Sequence, residues 1–219
     1  MQWMTDTRDP IPSGHDYVFR MMMAARLHPS HEPEPEGSEL WNKLALLGER
    51  LYGDAQATSP LGGYQAKGKA AYYHIRRSVI KDCLPGDDFV LPWLYDPAAP
   101  DGQPMVDGIP GPLIEYSLFK AGTGVDWSED EFNQAAERVY ALERAIQVRH
   151  WGRDRALDET LLPYFERLEF EANPLLGERV GLDRAQFAPL LTEFYGLHGW
   201  DANGQPTRER LEELGMGDV

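Results

Sequence analysis

The sequence contains a single cysteine, Cys83, among 219 residues. A disulfide needs two thiols, and a four-cysteine zinc site or a self-contained iron–sulfur cluster needs about four, so this chain alone builds none of them. Positive charge is scarce too: 21 Lys+Arg stand against 36 Asp+Glu, a formal net charge of −15. Nucleic-acid affinity comes mainly from Lys and Arg displacing condensed counterions, so this balance argues against binding nucleic acid or an anionic membrane. No stretch reaches the roughly 18 apolar residues of a membrane span, and residues 1–6 lack the basic start and apolar run of a secretory signal. There is no Gly-rich phosphate loop, no Gly-x-Ser-x-Gly elbow and no zinc-protease helix signature. The glycines of 62–69 lack the spacing a phosphate loop requires. A protein of the reducing cytoplasm is expected.

What is present is material for a core, 42% apolar residues with 11% aromatics, punctuated mostly for helices. Ser13, with Asp16 three residues on, suits the start of a helix over 13–27. Residues 28–37 are rich in Pro and Glu and read as a solvated loop. Ser38 opens a helix carrying Leu40, Trp41, Leu44, Leu47 and Leu51 at three- and four-residue spacing, with Gly53 past its end. A third helix is predicted over 64–82, stopped by Pro85 and Gly86. Residues 92–112 form an irregular loop with short strands, and 113–120 a short helix closed by Gly122. Ser128-Glu129-Asp130-Glu131 is a capping box for a long helix ending at Gly152, its apolar face read as Phe132, Ala135, Val139, Leu142 and Ile146. Asp183 and Thr207 cap two further helices, and Asn203-Gly204 makes a tight turn between them. The fold class is mainly α, an irregular multi-helix bundle, with 1–125 as one unit and 126–219 as a C-terminal helical domain. Trp3 and an Arg-Asp-Pro turn come at once, which reads as a chain that begins in mid-architecture.

Few residues suggest chemistry unaided. His28 and His31 have a metal-compatible spacing, but a proline-rich loop provides neither pre-set geometry nor partners to orient the rings. His74, His150 and His198 read as satisfied, partly buried helix residues. His15 stands at a helix start, where the dipole keeps an imidazole neutral and able to give or take a proton; packing or capping accounts for it equally well. The run Lys81-Asp82-Cys83-Leu84-Pro85-Gly86-Asp87-Asp88 is either a solvated acidic turn or a loop whose carboxylates face a heterocycle or a metal. Acidic neighbours raise a thiol's pKa, so Cys83 is a poor nucleophile.

Three runs in the C-terminal third change this picture: Glu143 to Arg149 followed by Arg153 to Asp158; Gly199-Trp200-Asp201-Ala202-Asn203-Gly204-Gln205-Pro206-Thr207; and Leu211 to Gly215. In this order and spacing they resemble the end of the aldehyde:ferredoxin oxidoreductase family, tungsten- or molybdenum-pterin enzymes that oxidise aldehydes to carboxylic acids. The resemblance implies the helical portion only, without the β-rich N-terminal domain that holds much of the bis-pterin cofactor; that domain is expected as a missing piece or a separate subunit. It implies that Asp82 contacts a pterin and that Asp87 stands where the family has the fourth cysteine ligand of a [4Fe-4S] cluster. Thr7-Arg8-Asp9-Pro10 through His15 is similar to the segment carrying a histidine near the metal, a proton donor or acceptor. His198 occupies a place where the family usually has Arg. Ferredoxin is the electron partner implied. The isolated chain is expected to hold no cofactor, and a non-catalytic helical partner or scaffold derived from the family is the alternative. Trp3, Met21 to Met23 and Trp93 are candidates for apolar surface against which the missing domain docks.

Overall fold

A computed structural model describes residues 1–7, 39–58, 63–84, 105–106, 109–110, 113–166 and 181–219. The described helices are α1 (Gln2–Thr5), α2 (Glu39–Tyr52), α3 (Lys67–Cys83), α4 (Ile114–Thr123), α5 (Glu129–Trp151), α6 (Arg155–Asp158), α7 (Leu162–Glu166), α8 (Arg184–Leu197) and α9 (Arg208–Glu213), with 3₁₀ turns at Ala55–Thr58 and Glu159–Leu161. Two short strands, β1 (Met105–Val106) and β2 (Ile109–Pro110), pair antiparallel, Met105 opposite Pro110 and Val106 opposite Ile109. The fold is mainly α. The helix starts predicted at Ser13 and the loop over 28–37 lie outside the described residues.

Local chemistry explains where the long helices begin and end. Ser128 Oγ accepts the amide of Glu131 at 3.2 Å, while the Glu131 carboxylate accepts the Ser128 amide at 2.7 Å. That reciprocal box satisfies two of the donors that a helix start leaves unpaired. At the other end Gly152, at φ 61°, adopts the left-handed conformation that ends a helix with little steric cost. Ser128→Ala is expected to lower the unfolding free energy by about 1 kcal/mol, read as a reduced urea midpoint at unchanged slope; no change in midpoint would count against the box. Asp183 caps α8 by accepting the amides of Ala185 and Gln186, and Thr207 caps α9 by accepting that of Arg210. The short helix predicted over 113–120 runs further, to Thr123, and Gly124 rather than Gly122 ends it. Gly124 takes φ 70°, whereas Gly122 remains inside the helix.

The core lies where α3, α5 and α8 meet. Ala71, Ile75 and Val79 from α3 pack with Phe132, Ala136 and Tyr140 from α5 and with Phe187, Leu191, Phe194 and Tyr195 from α8, together with Met4, Leu162 and Trp200. Gly68 leaves room for α8, since a Cβ there would run into the Glu193 carboxylate and sit 3.1 Å from the Leu190 carbonyl oxygen. A smaller cluster of Tyr52, Ala57, Ala66 and Ala70 joins α2 to α3.

The predicted inner face of α5 needs correcting. Leu142 and Ile146 are 40% and 42% exposed, while the buried positions are Phe132, Ala136, Glu137, Tyr140, Ala141 and Arg144. Two charged side chains occupy the interior because each finds partners there, as described next. His150 is exposed rather than partly buried.

Candidate functional site

Arg144 and Asp158 have fully buried side chains. Their guanidinium and carboxylate pair through both oxygens, Nη1 to Oδ1 at 2.9 Å and Nη2 to Oδ2 at 2.7 Å. Arg144 Nε donates to the Gly204 carbonyl at 2.8 Å. Its guanidinium carbon lies 4.9 Å from the Trp200 ring centre, a cation–π distance. The turn at Asn203-Gly204 is tied to this pair. Gly204 has φ 75°, and a Cβ there would meet Arg144 Nη2 and Tyr195 at 2.7 Å each. Tyr195 from α8 donates its hydroxyl to Asp158 Oδ2 at 2.6 Å, and Arg153 Nε donates to Oδ1 at 2.7 Å. Burial alone would pull the Arg144 guanidinium down, but the hydrogen bonds and charge of Asp158 more than offset it. Burial, and after it the Asp158 charge, pushes the Tyr195 phenol well above its ordinary value.

This network grips the N-terminal segment. The two outer nitrogens of Arg153 donate to the Met4 carbonyl at 2.6 Å and the Asp6 carbonyl at 2.7 Å. Tyr140 donates to the Thr5 carbonyl at 2.8 Å, and Gln147 Nε2 to the Thr7 carbonyl at 2.8 Å. Every carbonyl from Met4 to Thr7 therefore accepts a side-chain donor from α5 or from Arg153, two residues beyond its end. Thr7 Oγ1 also donates to the Glu143 carboxylate, and Arg153 also bonds the Gln147 side-chain oxygen.

A second buried cluster lies along α5. His198 Nδ1 is 3.0 Å from Glu137 Oε2, with Arg76 Nε at 3.5 Å from Oε1 and Arg210 Nη2 at 3.5 Å from Oε2. The His198 ring stacks on Trp200 at 5.0 Å and is walled by Tyr72, Tyr140 and Phe194 at 4.6–4.8 Å. Burial pushes the His198 imidazole below its ordinary value, against the pull of Glu137. Burial works to raise the Glu137 carboxyl, and His198, Arg76 and Arg210 together outweigh it and hold the carboxyl below its usual range. The consistent state near neutrality is an ionised Glu137 accepting Nδ1–H from a neutral His198.

That assignment carries a sign. As pH falls through the unfolded imidazole's value near 6.5, the unfolded chain takes a proton that buried His198 refuses, so stability drops. Glu137 contributes stability above the unfolded carboxyl's value near 4.5 and loses it as pH falls through its lower folded value. Urea midpoints between pH 8 and pH 5 are expected to fall below about 6.5, with a shallower fall in His198→Gln. Identical pH profiles for the two proteins would exclude the assignment.

Of the predicted site residues, Asp82 is exposed in the last turn of α3 beside exposed Cys83, while Lys81 before them is buried. His15 and Asp87 lie outside the described residues, as do the Met21 to Met23 run, Trp93 and the side chain of Trp3. Among the described residues no three His, Cys, Asp or Glu side chains are grouped to hold a metal. The chain's one thiol does not fit a [4Fe-4S] cluster, whose iron atoms need about four soft ligands. The Asp82 carboxylate, exposed in the last turn of α3, is a hydrogen-bond acceptor by its chemistry. No helix among the described residues is long and apolar enough to cross a membrane.

A family model described as aldehyde ferredoxin oxidoreductase, domains 2 and 3, matches residues 13–216. This chain belongs to that family. The tungsten-containing aldehyde ferredoxin oxidoreductase of Pyrococcus furiosus is 31% identical over 101 residues, 46% of this chain and 16% of the relative. That of Thermococcus kodakarensis is 32% identical over 101 residues, with the same shares. That of Pyrococcus horikoshii is 29% identical over 99 residues, 45% of this chain and 15% of the relative. The matched stretch is thus about a sixth of each relative's length.

The runs that carry the resemblance to the aldehyde ferredoxin oxidoreductases contain Arg144, Gln147, Arg153, Asp158, Trp200 and Gly204, all of them in the network around Asp158. Their positions in the sequence alone assign them no role. The available signal was an Arg, then an Arg and an Asp, in a stretch otherwise suited to solvent. The Glu137–His198 pair had no signal, because its members are 61 positions apart.

Proposed function

We propose that this chain is the helical portion of a tungsten- or molybdenum-pterin aldehyde:ferredoxin oxidoreductase, completed by an N-terminal pterin domain outside this sequence, either as a missing piece or as a separate subunit. The observation that carries the reading is the family match across residues 13–216. The reaction adds an oxygen from water to an aldehyde, giving a carboxylate, three protons and two electrons. The metal–pterin group, when bound, would supply the two-electron acceptor, and onward transfer to ferredoxin would depend on thiolates that this chain, with one cysteine, does not provide. In this reading His15 accepts or returns a proton at its imidazole near the metal, and the exposed Asp82 carboxylate accepts hydrogen bonds from a pterin. The cluster thiolates, like the pterin domain, lie outside this sequence, which has one cysteine. Asp87, at the position of a cluster ligand, is a hard carboxylate and cannot hold the cluster without neighbouring thiolates. The setting is the cytoplasm.

The chain alone is expected to be inactive. Aldehyde-dependent viologen reduction by the isolated, tungsten-loaded protein would overturn the need for a partner. Co-expression with a polypeptide bearing the β-rich domain and a Cys-x-x-Cys-x-x-x-Cys run should yield a complex containing tungsten or molybdenum that oxidises aldehydes. Failure of the two to co-purify would remove the subunit reading. The aspartate at position 87 favours a second reading, a scaffold that has lost its chemistry. Activity of the complex that survives both His15→Ala and Asp82→Ala decides for the scaffold.

A further inference from the structure

We infer that Arg153 is a positioning residue, a staple locked by Asp158 that fixes the backbone of Met4 to Thr7 and so sets the point from which the chain runs on to His15. The consequence for His15 rests on the functional reading above; the staple itself does not.

Three observations carry the inference. The first is the mode of recognition: four successive carbonyls, Met4 to Thr7, each accept a side-chain donor, and Arg153 supplies two of the four donors from one rigid fork. The contact reads main chain and tolerates many side chains, so it specifies where the segment lies rather than which residues it carries. The second is the cost of the lock. Asp158 and Arg144 are taken fully out of water, and a buried ion pair rarely adds net stability over apolar residues of the same volume. What the pair does secure is geometry: Asp158 Oδ1 meets both Arg144 and Arg153, and Oδ2 meets both Arg144 and Tyr195, so the Arg153 fork has one orientation. The third is the backing. Gln147 receives a hydrogen bond from Arg153 and donates to Thr7, and Glu143 takes the Thr7 hydroxyl, so the grip extends to the last described residue of the segment. A guanidinium spans two carbonyls at a fixed separation, which an ammonium cannot do.

The test separates charge from fork. In the full-length chain Arg153→Lys keeps a cation beside Asp158, so the buried carboxylate is not left alone, yet the shorter point donor cannot hold both carbonyls. Amide hydrogen exchange at Met4 and Thr5, both bonded to the Met1 carbonyl, is expected to quicken about tenfold, the effect of one or two lost hydrogen bonds. Amides in α5 and α8 should keep wild-type rates. Unchanged exchange at Met4 and Thr5 overturns the staple, and so does a uniform rise through α5 and α8, which would make Arg153 a general stabiliser. In the assembled enzyme Arg153→Lys should lower kcat by about tenfold or more, the effect of a misplaced group, with KM within about twofold. Unchanged kcat alongside loosened Met4 and Thr5 amides overturns the link to His15. A wild-type complex with no aldehyde oxidation overturns the functional reading instead, and it does so without touching the exchange result.

Discussion

Asp158→Asn is expected to lower the unfolding free energy by about 3–5 kcal/mol, the cost of leaving a buried charge without its partner. The side chain is fully buried and accepts from Arg144, Arg153 and Tyr195 at 2.6–2.9 Å. Asparagine keeps the shape and one carbonyl oxygen but turns the other acceptor into a donor facing donors. Arg144, itself without solvent contact, then carries an uncompensated charge. Against a total stability of about 5–15 kcal/mol for an ordinary domain, such a loss brings the chain close to unfolding near room temperature. Urea unfolding followed by far-UV circular dichroism measures it, and a change below about 1 kcal/mol, the scale of an exposed pair, would mean that water reaches the site. The double variant Asp158→Asn with Arg144→Met should recover part of the loss, because removing the orphaned charge is cheaper than burying it. Full recovery is not expected, since Arg153 and Tyr195 still face the site.

Phe194→Ala should cost about as much, 3–5 kcal/mol, by a different route. Phe194 is fully buried at the centre of the core, its ring edge-on to His198 at 4.6 Å and within 6.3 Å of Tyr195 and Trp200. Alanine removes apolar area and leaves a void that the surrounding rings, held by hydrogen bonds and stacking, cannot close. The loss therefore includes a cavity contribution on top of transfer from water. Phe194→Leu should cost markedly less, because volume is largely kept. Equal losses for the two variants would show that ring contacts, not volume, dominate. Because His198 rests on this ring, the Phe194→Ala variant should also show a weaker fall in stability on acidification, as water admitted to the site makes a protonated imidazole less costly.

Much of the helical framework was legible in the residues because its signals are local. The box at Ser128 and Glu131, the Asp183 and Thr207 caps and the Gly152 stop act over two to five residues, so a helix end can be read wherever its capping residues stand. Even here small errors arose where two glycines compete, as at Gly122 and Gly124: either can end a helix, and the conformation of the chain beyond decides. Family membership was likewise legible, because spacing within short runs survives in the sequence. The roles of the residues in those runs were not legible. Arg144 and Asp158 are 14 positions apart, Arg153 and Met4 149, and no local pattern relates them.

The sequence by itself determined that this chain is helical, where α3, α5, α8 and α9 are capped or stopped, that one thiol cannot build a cluster, and which family the chain resembles. Only the tertiary structure decided which face of α5 turns inward. Apolar spacing pointed to Leu142 and Ile146, yet Glu137 and Arg144 are buried and those two remain exposed. The physical reason is that burying a charge is costly or tolerable according to its partners. For Glu137 the partners are His198, Arg76 and Arg210, and for Arg144 they are Asp158 and the Gly204 carbonyl. Those partners stand on other elements, so the face of α5 that is buried follows from how the helices assemble.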